Sequence, residues 1–313
     1  MKRKIIITWW AWFIWSNFLN KYVLKEKEID FINIDFLTYA WKLENISNYV
    51  KNAKNYFFEQ VDIRDLKTLE SIYEKYSPTD IIHFAAESHV DNSIETPIIF
   101  TETNVIWTQN LLECHKKYWL NRFHYISTDE VYGDILEWNF KETDILNPSN
   151  PYSASKAWAE MLVKAYSRTY WIDFVITRSS NNFGPNQDKE KLIPHFIDLL
   201  KNDKKVTLYW NWENIRDWIY VEDNIDGTWE VFQKAPSKSI YNIWGNNHIS
   251  NIAITKIILS EMWKDLNYLW FVKDRLWHDF RYAINTDKIE KELWFKLRID
   301  FLDWIKKTVR FYL

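Results

Sequence analysis

Short apolar runs rich in β-branched residues alternate with longer amphipathic stretches from residue 3 to about residue 180. This alternation is typical of a parallel sheet with helices on both faces. Helix-like stretches follow Ile14, Leu66, Ile94 and Tyr152, and the runs that predict strands are 4–8, 29–34, 56–61, 80–84, 123–127 and 174–177. The pattern predicts an α/β fold: a doubly wound parallel sheet in residues 1–180 and a smaller α/β lobe in residues 181–313, with the chain free to cross between them.

The first predicted strand runs into a stretch that carries tryptophan at positions 9, 10, 12 and 15. If glycine stood at these four positions, the stretch would be Gly-Gly-Ala-Gly-Phe-Ile-Gly, a Rossmann-type dinucleotide-binding turn. Glycine is needed there for a tight bend, for close approach to a pyrophosphate and for packing of helix on strand. The free amides of the following helix then face the phosphates. Trp9, Trp12, Phe13, Ile14 and Trp15 are therefore predicted at the cofactor.

Composition indicates that the substitution extends over the whole chain. At an average usage of about 7%, a chain of this length holds roughly 22 glycines, whereas this one has 4 glycines and 20 tryptophans. Our hypothesis is that the source decodes UGA as glycine and that these codons are written here as tryptophan. The alternative is a signal peptide, with a basic start and an apolar core. No small-residue cleavage site follows, however, and residues 16–22 resemble the first turns of a helix.

Charge and cysteine content narrow the class of protein. The formal net charge is −3 with 27% charged residues, so no basic field points to nucleic acid or anionic membrane. The single cysteine, Cys114, excludes an internal disulfide framework and fits a reducing cytoplasm. Apart from the start, no apolar run approaches the 18 or more residues of a membrane span. We expect a cytoplasmic protein without a nucleic-acid or membrane partner, and we predict no metal site.

Acidic residues at strand ends indicate which dinucleotide would bind. Asp35 ends the second run, about twenty residues after the turn, where a carboxylate accepts hydrogen bonds from the adenosine ribose. It favours NAD over NADP because it would repel a 2′-phosphate. Asp62 and Ile63 are candidates to flank the adenine, although aspartate at a strand end is also a common turn residue.

The segment after the fourth run combines two alanines with unlike polar groups. Ala85 and Ala86 would let a cofactor lie close to the backbone, and the polar residues that follow, including Ser88, would face what sits over it. An ordinary surface loop would not need so many polar groups at the carboxyl end of a strand, where α/β sheets place ligands.

Tyr152 and Lys156 are four residues apart and share one face of a predicted helix. The ammonium would favour the tyrosinate and bring a phenol with a pKa near 10 closer to working pH. Such a pair suits a general base that deprotonates an alcohol while hydride leaves the same carbon. The spacing alone is weak, but it gains weight downstream of a dinucleotide turn.

Asp129 and Glu130 follow a strand that ends in Ser127 and Thr128. Adjacent carboxyls can hold different protonation states, one acid and one base, if their environments separate their pKa values. An enzyme limited to redox chemistry has no use for such a pair, whereas elimination of water needs both. A solvated loop is the alternative interpretation.

Motifs along the whole chain agree with one family. Residues 84–91 read Phe-Ala-Ala-Glu-Ser-His-Val-Asp, residues 127–133 read Ser-Thr-Asp-Glu-Val-Tyr-Gly, and further motifs lie at 37–40, 180–185, 191–194, 216–223 and 278–282. From residue 3 to the last helix, the chain resembles the dTDP-glucose 4,6-dehydratases of the extended short-chain dehydrogenase/reductase family, also described as NAD-dependent epimerases/dehydratases.

The resemblance also bears on the tryptophans. Trp218 falls where the family has tryptophan, and Trp158, Trp229 and Trp270 are unassigned. Glycine is the family residue at Trp9, Trp10, Trp12, Trp15, Trp107, Trp119, Trp138, Trp171, Trp210, Trp212, Trp244, Trp263, Trp277, Trp294 and Trp304, and Trp41 belongs with this group.

The resemblance implies an order of chemical steps. Tyr152 would deprotonate the 4-hydroxyl of the sugar as carbon 4 gives hydride to NAD, with Lys156 holding the nicotinamide ribose and Thr128 near the 4-oxygen. Glu130 would then take the proton from carbon 5 while Asp129 protonates the departing 6-hydroxyl. The hydride would return to carbon 6, which leaves the cofactor unchanged.

The resemblance also implies a nucleotide-sugar site on the second lobe. Further cofactor contacts would come from Phe36, Leu37, Thr38, Thr103 and Asn182. Contacts with dTDP-glucose would come from Ser88, Thr128, Asn181, Lys191 and Leu192, from Thr207, Leu208 and Tyr209 around the thymine, from Arg216 and Arg275 at the diphosphate, and from Asn251 and His278.

Several alternatives stay open at this point. A nucleotide-sugar 4-epimerase or decarboxylase shares the turn, the Tyr/Lys pair and the arginines, but an epimerase does not need the pair Asp129 and Glu130. A UDP-sugar 4,6-dehydratase would need only a different base pocket. If the tryptophans are real, an inactive NAD-binding scaffold is possible. Helices around 95–118 and 152–170 would suit a two-fold homodimer, as in the family.

Overall fold

The protein is described here by a computed structural model. It describes residues 2–8, 12–36, 43–135, 137–209, 215–272, 282–298 and 300–313, without the side chains of Trp12, Leu43, Tyr209 and Ile215. The strands are β1 (Arg3–Thr8), β2 (Ile29–Asp35), β3 (Tyr56–Gln60), β4 (Asp80–His83), β5 (Arg122–Thr128), β6 (Phe174–Ser179), β7 (Asn181–Phe183), β8 (Val206–Tyr209), β9 (Ile215–Tyr220), β10 (Ser239–Ile243), β11 (His248–Ser250) and β12 (Leu269–Val272).

Helices connect these strands on both faces of the main sheet. They are α1 (Trp12–Lys25), α2 (Asn48–Lys51), α3 (Leu66–Tyr76), α4 (Val90–Glu95), α5 (Pro97–Thr101), α6 (Trp107–Tyr118), α7 (Pro151–Tyr170), α8 (Leu192–Lys201), α9 (Val221–Lys234), α10 (Asn251–Glu261), α11 (Asp287–Leu293) and α12 (Phe301–Tyr312). A π-helical turn (Glu102–Ile106) joins α5 to α6, and 3₁₀ turns cover Leu43–Asn45, Asp129–Tyr132 and Leu266–Tyr268.

The main sheet has seven parallel strands in the order β10-β6-β5-β4-β1-β2-β3. This confirms the predicted doubly wound α/β fold, and each of the six predicted strands is found with ends within two residues. The seventh strand, β10, comes from the second half of the chain. Its sequence, Ser-Ile-Tyr-Asn-Ile, lies in the part of the chain that the sequence analysis assigned to the smaller lobe, and its buried Asn242 is satisfied by hydrogen bonds.

Successive side chains of the sheet enter separate cores on its two faces, as the two-residue period of a strand requires. On β1, Ile6 packs into a core shared with α3, α6 and α7, whereas Ile5 and Ile7 pack into a core shared with α1 and α9. A third core joins β7, β8 and β9 to α8, α10 and α12 in the smaller lobe. Within the described ranges, no helix has the length and apolar character to cross a membrane.

Four tryptophans follow helix ends in the left-handed backbone region. Trp119 (φ 53°) follows α6, Trp171 (φ 61°) follows α7, Trp263 (φ 57°) lies just beyond α10 and Trp294 (φ 57°) follows α11. Their side chains are 82%, 80%, 95% and 81% exposed, respectively. This helix-end position normally belongs to glycine, because a side chain makes the left-handed conformation unfavourable.

Candidate functional site

Two of the predicted site residues, Asp35 and Thr128, end strands at the carboxyl edge of the main sheet. Thr8, Asp35, His83 and Thr128 end β1, β2, β4 and β5. Because β1 lies between β2 and β4, the strand order reverses beside β1. This reversal opens the crevice in which doubly wound sheets bind their ligands.

Next to this crevice, β1 and β4 are joined through a buried histidine. The Nδ1 atom of His83 lies 2.6 Å from the Thr8 hydroxyl, and its Nε2 atom lies 3.0 Å from the Thr108 hydroxyl on α6. Burial lowers the pKa of His83 well below its usual range, which keeps the ring neutral. Ala85 and Ala86, which follow β4, are also buried. The alanines leave room for a ligand beside the backbone, while His83 is a structural link.

A small cluster lies at the ends of β2 and β3, where the adenine end of a dinucleotide is predicted. Asp35 is buried at the end of β2. The Arg64 guanidinium forms an ion pair with Asp62 (Nη2 to Oδ2, 2.6 Å) and lies 5.4 Å from the centre of the Phe36 ring. The Ile63 side chain instead packs in the core. The structure brings Phe36 and Asp62 together through Arg64, which the sequence analysis did not identify.

The start of α1 is described only in part. Phe13 and Ile14 are half-buried and pack against the core, and Trp15 is buried there, with its indole nitrogen donating to Asn33 Oδ1 at 3.2 Å. Trp15 therefore faces the sheet. Trp12 begins the helix, but its side chain is outside the description, and Trp9, Leu37, Thr38, Arg275 and His278 lie outside the described residues.

The π-helical turn between α5 and α6 carries the predicted cofactor residue Thr103, which is buried. The neighbouring Asn104 exchanges hydrogen bonds with the backbone of Glu87 (2.8 and 3.1 Å) and donates to the Ser155 hydroxyl at 2.8 Å. It thereby ties the loop after β4 to α7. Single π turns of this kind are frequent at functional sites.

Helix α7 holds the predicted pair Tyr152 and Lys156. It begins with Pro151 after a capping box between Asn150 and Ser153, which fixes the position of its first turn. The Lys156 ammonium donates to the Ile126 carbonyl at 2.6 Å, and burial lowers the pKa of Lys156 to about 7.

The Tyr152 hydroxyl is buried beside Thr128. Burial raises the pKa of Tyr152, and the charges of Glu130 and Asp129 act in the same direction, whereas a hydrogen bond with Thr128 opposes the shift. The structure therefore groups the Tyr/Lys helix with the end of β5. The expectation that the pair brings the pKa of Tyr152 down toward working pH is not met in this structure, because the effect of burial dominates.

Asp129 and Glu130 occupy a 3₁₀ turn and have different surroundings. The Thr128 hydroxyl caps this turn by accepting from the Glu130 amide at 3.3 Å. Burial raises the pKa of Asp129 well above its usual range, and the charges of Glu130 and Asp217 add to this. Glu130 is half-buried and accepts a hydrogen bond from Asn150 at 3.4 Å. The pair therefore contains one carboxyl that favours its protonated form beside one that is more accessible to solvent.

Basic residues face this acid–base turn from the smaller lobe. Burial lowers the pKa of Lys191, and the charge of Glu130 opposes that shift. Arg216, buried on β9, lies close enough to Asp129 to lower its pKa and sits 4.9 Å from the centre of the Tyr282 ring. Asp217 accepts the amides of Gly245 (2.9 Å) and Asn247 (2.6 Å). Lys191 and Arg216 thus bring basic side chains next to the pair.

Asn181 and Asn182 lie on β7, which pairs with β9. The Asn182 amide donates to the Ser180 carbonyl at 2.9 Å, and its oxygen accepts from Asn224 at 2.6 Å. Asn182 is therefore held in one orientation at the boundary between the main sheet and the smaller lobe.

The remaining predicted residues lie around the smaller lobe. Leu192 begins α8 and Asn251 begins α10, Thr207 is exposed on β8, and Ser88 is half-buried in the loop after β4. Leu208 packs in the core of the lobe, and the Tyr209 side chain is outside the description. The structure supports Thr207 as an accessible residue, whereas Leu208 contributes chiefly to packing.

Sequence reasoning missed several residues that orient the site, namely Arg64, Asn104, Asp217 and Asn224. Each is a polar residue within or next to a regular element, and all but Arg64 are buried. A buried polar group must be paired, so a polar residue at a core position was the available signal. The partners of Asn104, Asp217 and Asn224 are 17 or more residues away in the chain and are not evident from sequence, whereas Arg64 pairs with Asp62 only two residues before it.

The fold and the site together define a class: a dinucleotide-binding α/β protein with the Tyr/Lys pair of the extended short-chain dehydrogenases/reductases. The model of the family described as GDP-mannose 4,6 dehydratase matches residues 6–308, and the chain belongs to this family.

Two kinds of relative place the chain within this class. It is 41% identical over 333 residues to the dTDP-glucose 4,6-dehydratase of Haemophilus influenzae, which covers 99% of this chain and 97% of that protein. The structure of dTDP-glucose 4,6-dehydratase DesIV from Streptomyces venezuelae with NAD bound has a TM-score of 0.94 at 37% identity, covering 99% and 96% of the chains. UDP-glucose 4-epimerase from Thermotoga maritima shares the fold, with a TM-score of 0.91 at 24% identity, covering 99% and 98%.

Proposed function

We propose that this chain is an NAD-dependent dTDP-glucose 4,6-dehydratase, a hydro-lyase that converts dTDP-glucose to dTDP-4-keto-6-deoxyglucose and water. The observation that carries the proposal is the acid–base turn, in which the buried Asp129 and the more accessible Glu130 lie beside Thr128 and Tyr152. The identity of 41% to the Haemophilus influenzae dehydratase supports it.

The residues of this chain take separate parts in the reaction. Tyr152 accepts the proton of the 4-hydroxyl, and Thr128 orients that oxygen. The resulting 4-ketone acidifies the carbon 5 proton, which Glu130 removes. Asp129 gives its proton to the 6-hydroxyl, which leaves as water. The buried Asp129 suits the acid because it favours the protonated form, and Glu130 suits the base because it is better solvated.

The cofactor we propose is NAD, which when bound would accept hydride from carbon 4 and return it to carbon 6, while Glu130 gives a proton back to carbon 5. The described residues fit it: Asp35 ends β2, Ala85 and Ala86 leave space after β4, and Lys156 is available to the nicotinamide ribose. Phe36 and the Asp62–Arg64 pair flank the adenine end. Because the hydride returns to the product, the cofactor stays bound through turnover.

The nucleotide sugar is bound by the smaller lobe in this proposal. Lys191 and Arg216 supply positive charge near the acid–base turn, Asn181 and Asn182 meet the sugar and cofactor, and Ser88 contacts the sugar from the loop after β4. Thr207, Leu208, Tyr209, Arg275, Asn251 and His278 are proposed from the family resemblance to complete the base and diphosphate sites.

Product analysis tests this function. A variant with glycine at the proposed glycine positions, incubated with dTDP-glucose and without added reductant, is expected to give a 4-keto-6-deoxy sugar. Glu130→Gln serves as a comparison, because it retains Tyr152 but lacks the base for elimination. A 4-epimer as the product would overturn the dehydratase proposal, and equal turnover of UDP-glucose would overturn the thymine preference.

We propose also that glycine is incorporated at 16 of the tryptophan positions through decoding of UGA as glycine. Trp119, Trp171, Trp263 and Trp294 support this proposal independently of any family, since each follows a helix end with positive φ and is at least 80% exposed. A left-handed conformation costs a residue with a side chain about 1–2 kcal/mol. The buried positions Trp15, Trp107, Trp244 and Trp304 rest on the family pattern alone, and Trp304 stacks on Tyr220.

Peptide mass spectrometry of the protein from its native source tests the decoding. The tryptic peptide 5–21 covers positions 9, 10, 12 and 15, and the peptide 217–234 contains Trp218, which is expected to remain tryptophan and serves as the control. Glycine masses in the first peptide are expected. Tryptophan masses there would overturn the proposal. We further expect that a chain with tryptophan at all four positions neither binds NAD nor folds well.

We propose that the chain works in the cytoplasm as a homodimer. The single cysteine, Cys114, is buried, which fits a chain without structural disulfides. Exposed apolar side chains support a subunit interface along α5, the π turn and α7. They are Ile98 and Ile99 on α5, Ile106 in the π turn, and Trp158 and Met161 on α7. The two-fold pairing through these helices follows the family resemblance.

A further inference from the structure

A chain of buried polar side chains crosses the interior behind the site. The guanidinium of Arg178 on β6 forms two hydrogen bonds with the carboxylate of Glu160 on α7 (2.9 and 2.6 Å). It donates a third bond to the Tyr132 hydroxyl at 2.6 Å, and that hydroxyl donates to Asn242 Oδ1 on β10 at 2.8 Å. All four residues are buried.

The two ends of this network belong to the two halves of the proposed reaction. Tyr132 is the last residue of the 3₁₀ turn that carries Asp129 and Glu130. Glu160 lies one helical turn after Lys156 on α7, the helix that carries Tyr152. Arg178 therefore connects the helix that performs the redox step with the turn that performs the elimination.

Stability alone is a weak reason for such an arrangement. The desolvation of two buried charges often offsets their attraction, so that apolar residues of similar volume can serve as well. Arg178 uses its planar fork on Glu160 and its remaining nitrogen on Tyr132, and its Cζ atom lies 4.6 Å from the centre of the Tyr132 ring. These contacts fix both the orientation of the Tyr132 side chain and its position in the interior.

We propose that Tyr132 is a positioning residue for the elimination step: its hydroxyl, held between Arg178 and Asn242, sets where Asp129 and Glu130 lie relative to Tyr152. The proposal rests on the proposed dehydratase function. Tyr132 acts through the backbone of the 3₁₀ turn, so its loss affects proton transfer at carbons 5 and 6 more than hydride transfer from carbon 4.

The test uses Tyr132→Phe, which keeps the ring but removes the hydroxyl, in the chain with glycine restored. Tyr241→Phe is the matched control: Tyr241 is also a buried tyrosine, its hydroxyl donates to Glu292 at 2.6 Å, and it precedes Asn242 on β10. In single-turnover reactions with dTDP-glucose, the absorbance of bound NADH reports oxidation at carbon 4. Its decay reports elimination followed by reduction.

Tyr132→Phe is expected to form NADH at the rate of the unsubstituted enzyme and to slow its decay on the order of tenfold, since small misplacements of catalytic groups are costly. Tyr241→Phe is expected to leave both phases unchanged. Decay of NADH at the unsubstituted rate in Tyr132→Phe would overturn the proposal. Equal slowing in Tyr241→Phe would also overturn it, because the effect would then be a general consequence of losing a buried hydroxyl.

A second measurement does not depend on the substrate. The Gly133 amide donates to the Glu130 carbonyl at 3.2 Å, and the Glu130 amide donates to the Thr128 hydroxyl at 3.3 Å. Hydrogen exchange at these two amides is expected to accelerate in Tyr132→Phe while exchange in α7 stays the same. Unchanged exchange would overturn the positioning role. An enzyme inactive on dTDP-glucose that still showed faster exchange would count against the proposed function alone.

Discussion

Asp129 and Glu130 are neighbours in sequence with unequal environments. The Asp129 carboxyl is buried, and the charges around it come mainly from other carboxylates, so its pKa rises. The Glu130 side chain is half-buried and faces Asn150 and Lys191. Both side chains are carboxyls, so the sequence does not say which one is the acid and which one is the base. The fold distinguishes them by giving them different environments.

The raised pKa of Asp129 gives a prediction with a definite sign. Between the unfolded pKa of about 3.9 and the raised folded pKa, the folded state binds more protons than the unfolded state, so stability falls as pH rises. Asp129→Asn removes this dependence because its amide stays neutral. We expect this variant to melt above the unsubstituted protein at pH 7, with the difference shrinking as the pH is lowered toward 4.

The same variant should lose activity, because the amide cannot protonate the leaving hydroxyl. General acid catalysis typically contributes a factor of about 10²–10⁴ to the rate. We therefore expect kcat for product formation to decrease by a factor in that range. Thermal melts from pH 4 to 8 together with product assays check both effects. A variant that is less stable than the unsubstituted protein at pH 7 would contradict the assignment of Asp129 as the buried acid.

How far the sequence predicts the site depends on how local each signal is. Tyr152 and Lys156 are recognisable because one helix fixes their spacing, and Asp129 and Glu130 because they are adjacent. Asn104 and Asn224 contact Glu87 and Asn182 across long stretches of chain. Their partners follow from the packing of helices on the sheet, which no local pattern contains.

At the level of elements, helix ends and strands differ in predictability. The six strands predicted before residue 180 were found, whereas no strand was predicted in residues 181–313, so β10 was missed together with the strands of the smaller lobe. The helix ends at Trp119, Trp171 and Trp294 were not predictable from tryptophan, since the usual stop signal is glycine. They become regular helix ends once glycine stands there.

This comparison predicts opposite effects of one substitution at two exposed sites. Trp294→Gly should stabilise the protein by about 1 kcal/mol, because Trp294 has φ 57° and glycine adopts that conformation without strain. Trp158→Gly, in the interior of α7, should destabilise it by about 1 kcal/mol or more, through glycine's low helix propensity and through loss of an apolar side chain from the proposed subunit interface. Urea unfolding of both variants measures the difference. A destabilising Trp294→Gly would count against glycine at this helix end.

At the level of the whole molecule, the exposed isoleucines of α5 provide a test of the proposed homodimer. Ile98 is 72% exposed, and a charge placed at the centre of an apolar interface is costly. We expect Ile98→Glu to convert the proposed dimer to a monomer. Light scattering should then report the mass of one chain in place of twice that mass. Ile145→Glu, at an isoleucine that is 86% exposed, is the control and should remain dimeric. A dimeric Ile98→Glu would place the interface elsewhere.

The return of the chain through β10 has a consequence for synthesis on the ribosome. Strand β6 is complete at Ser179, but the strand that covers its edge ends only at Ile243. At roughly 5–20 residues per second, the intervening segment of about 60 residues takes on the order of ten seconds to emerge. During that interval the nascent sheet presents an uncovered edge, which makes the growing chain a candidate for chaperone binding before the smaller lobe has formed.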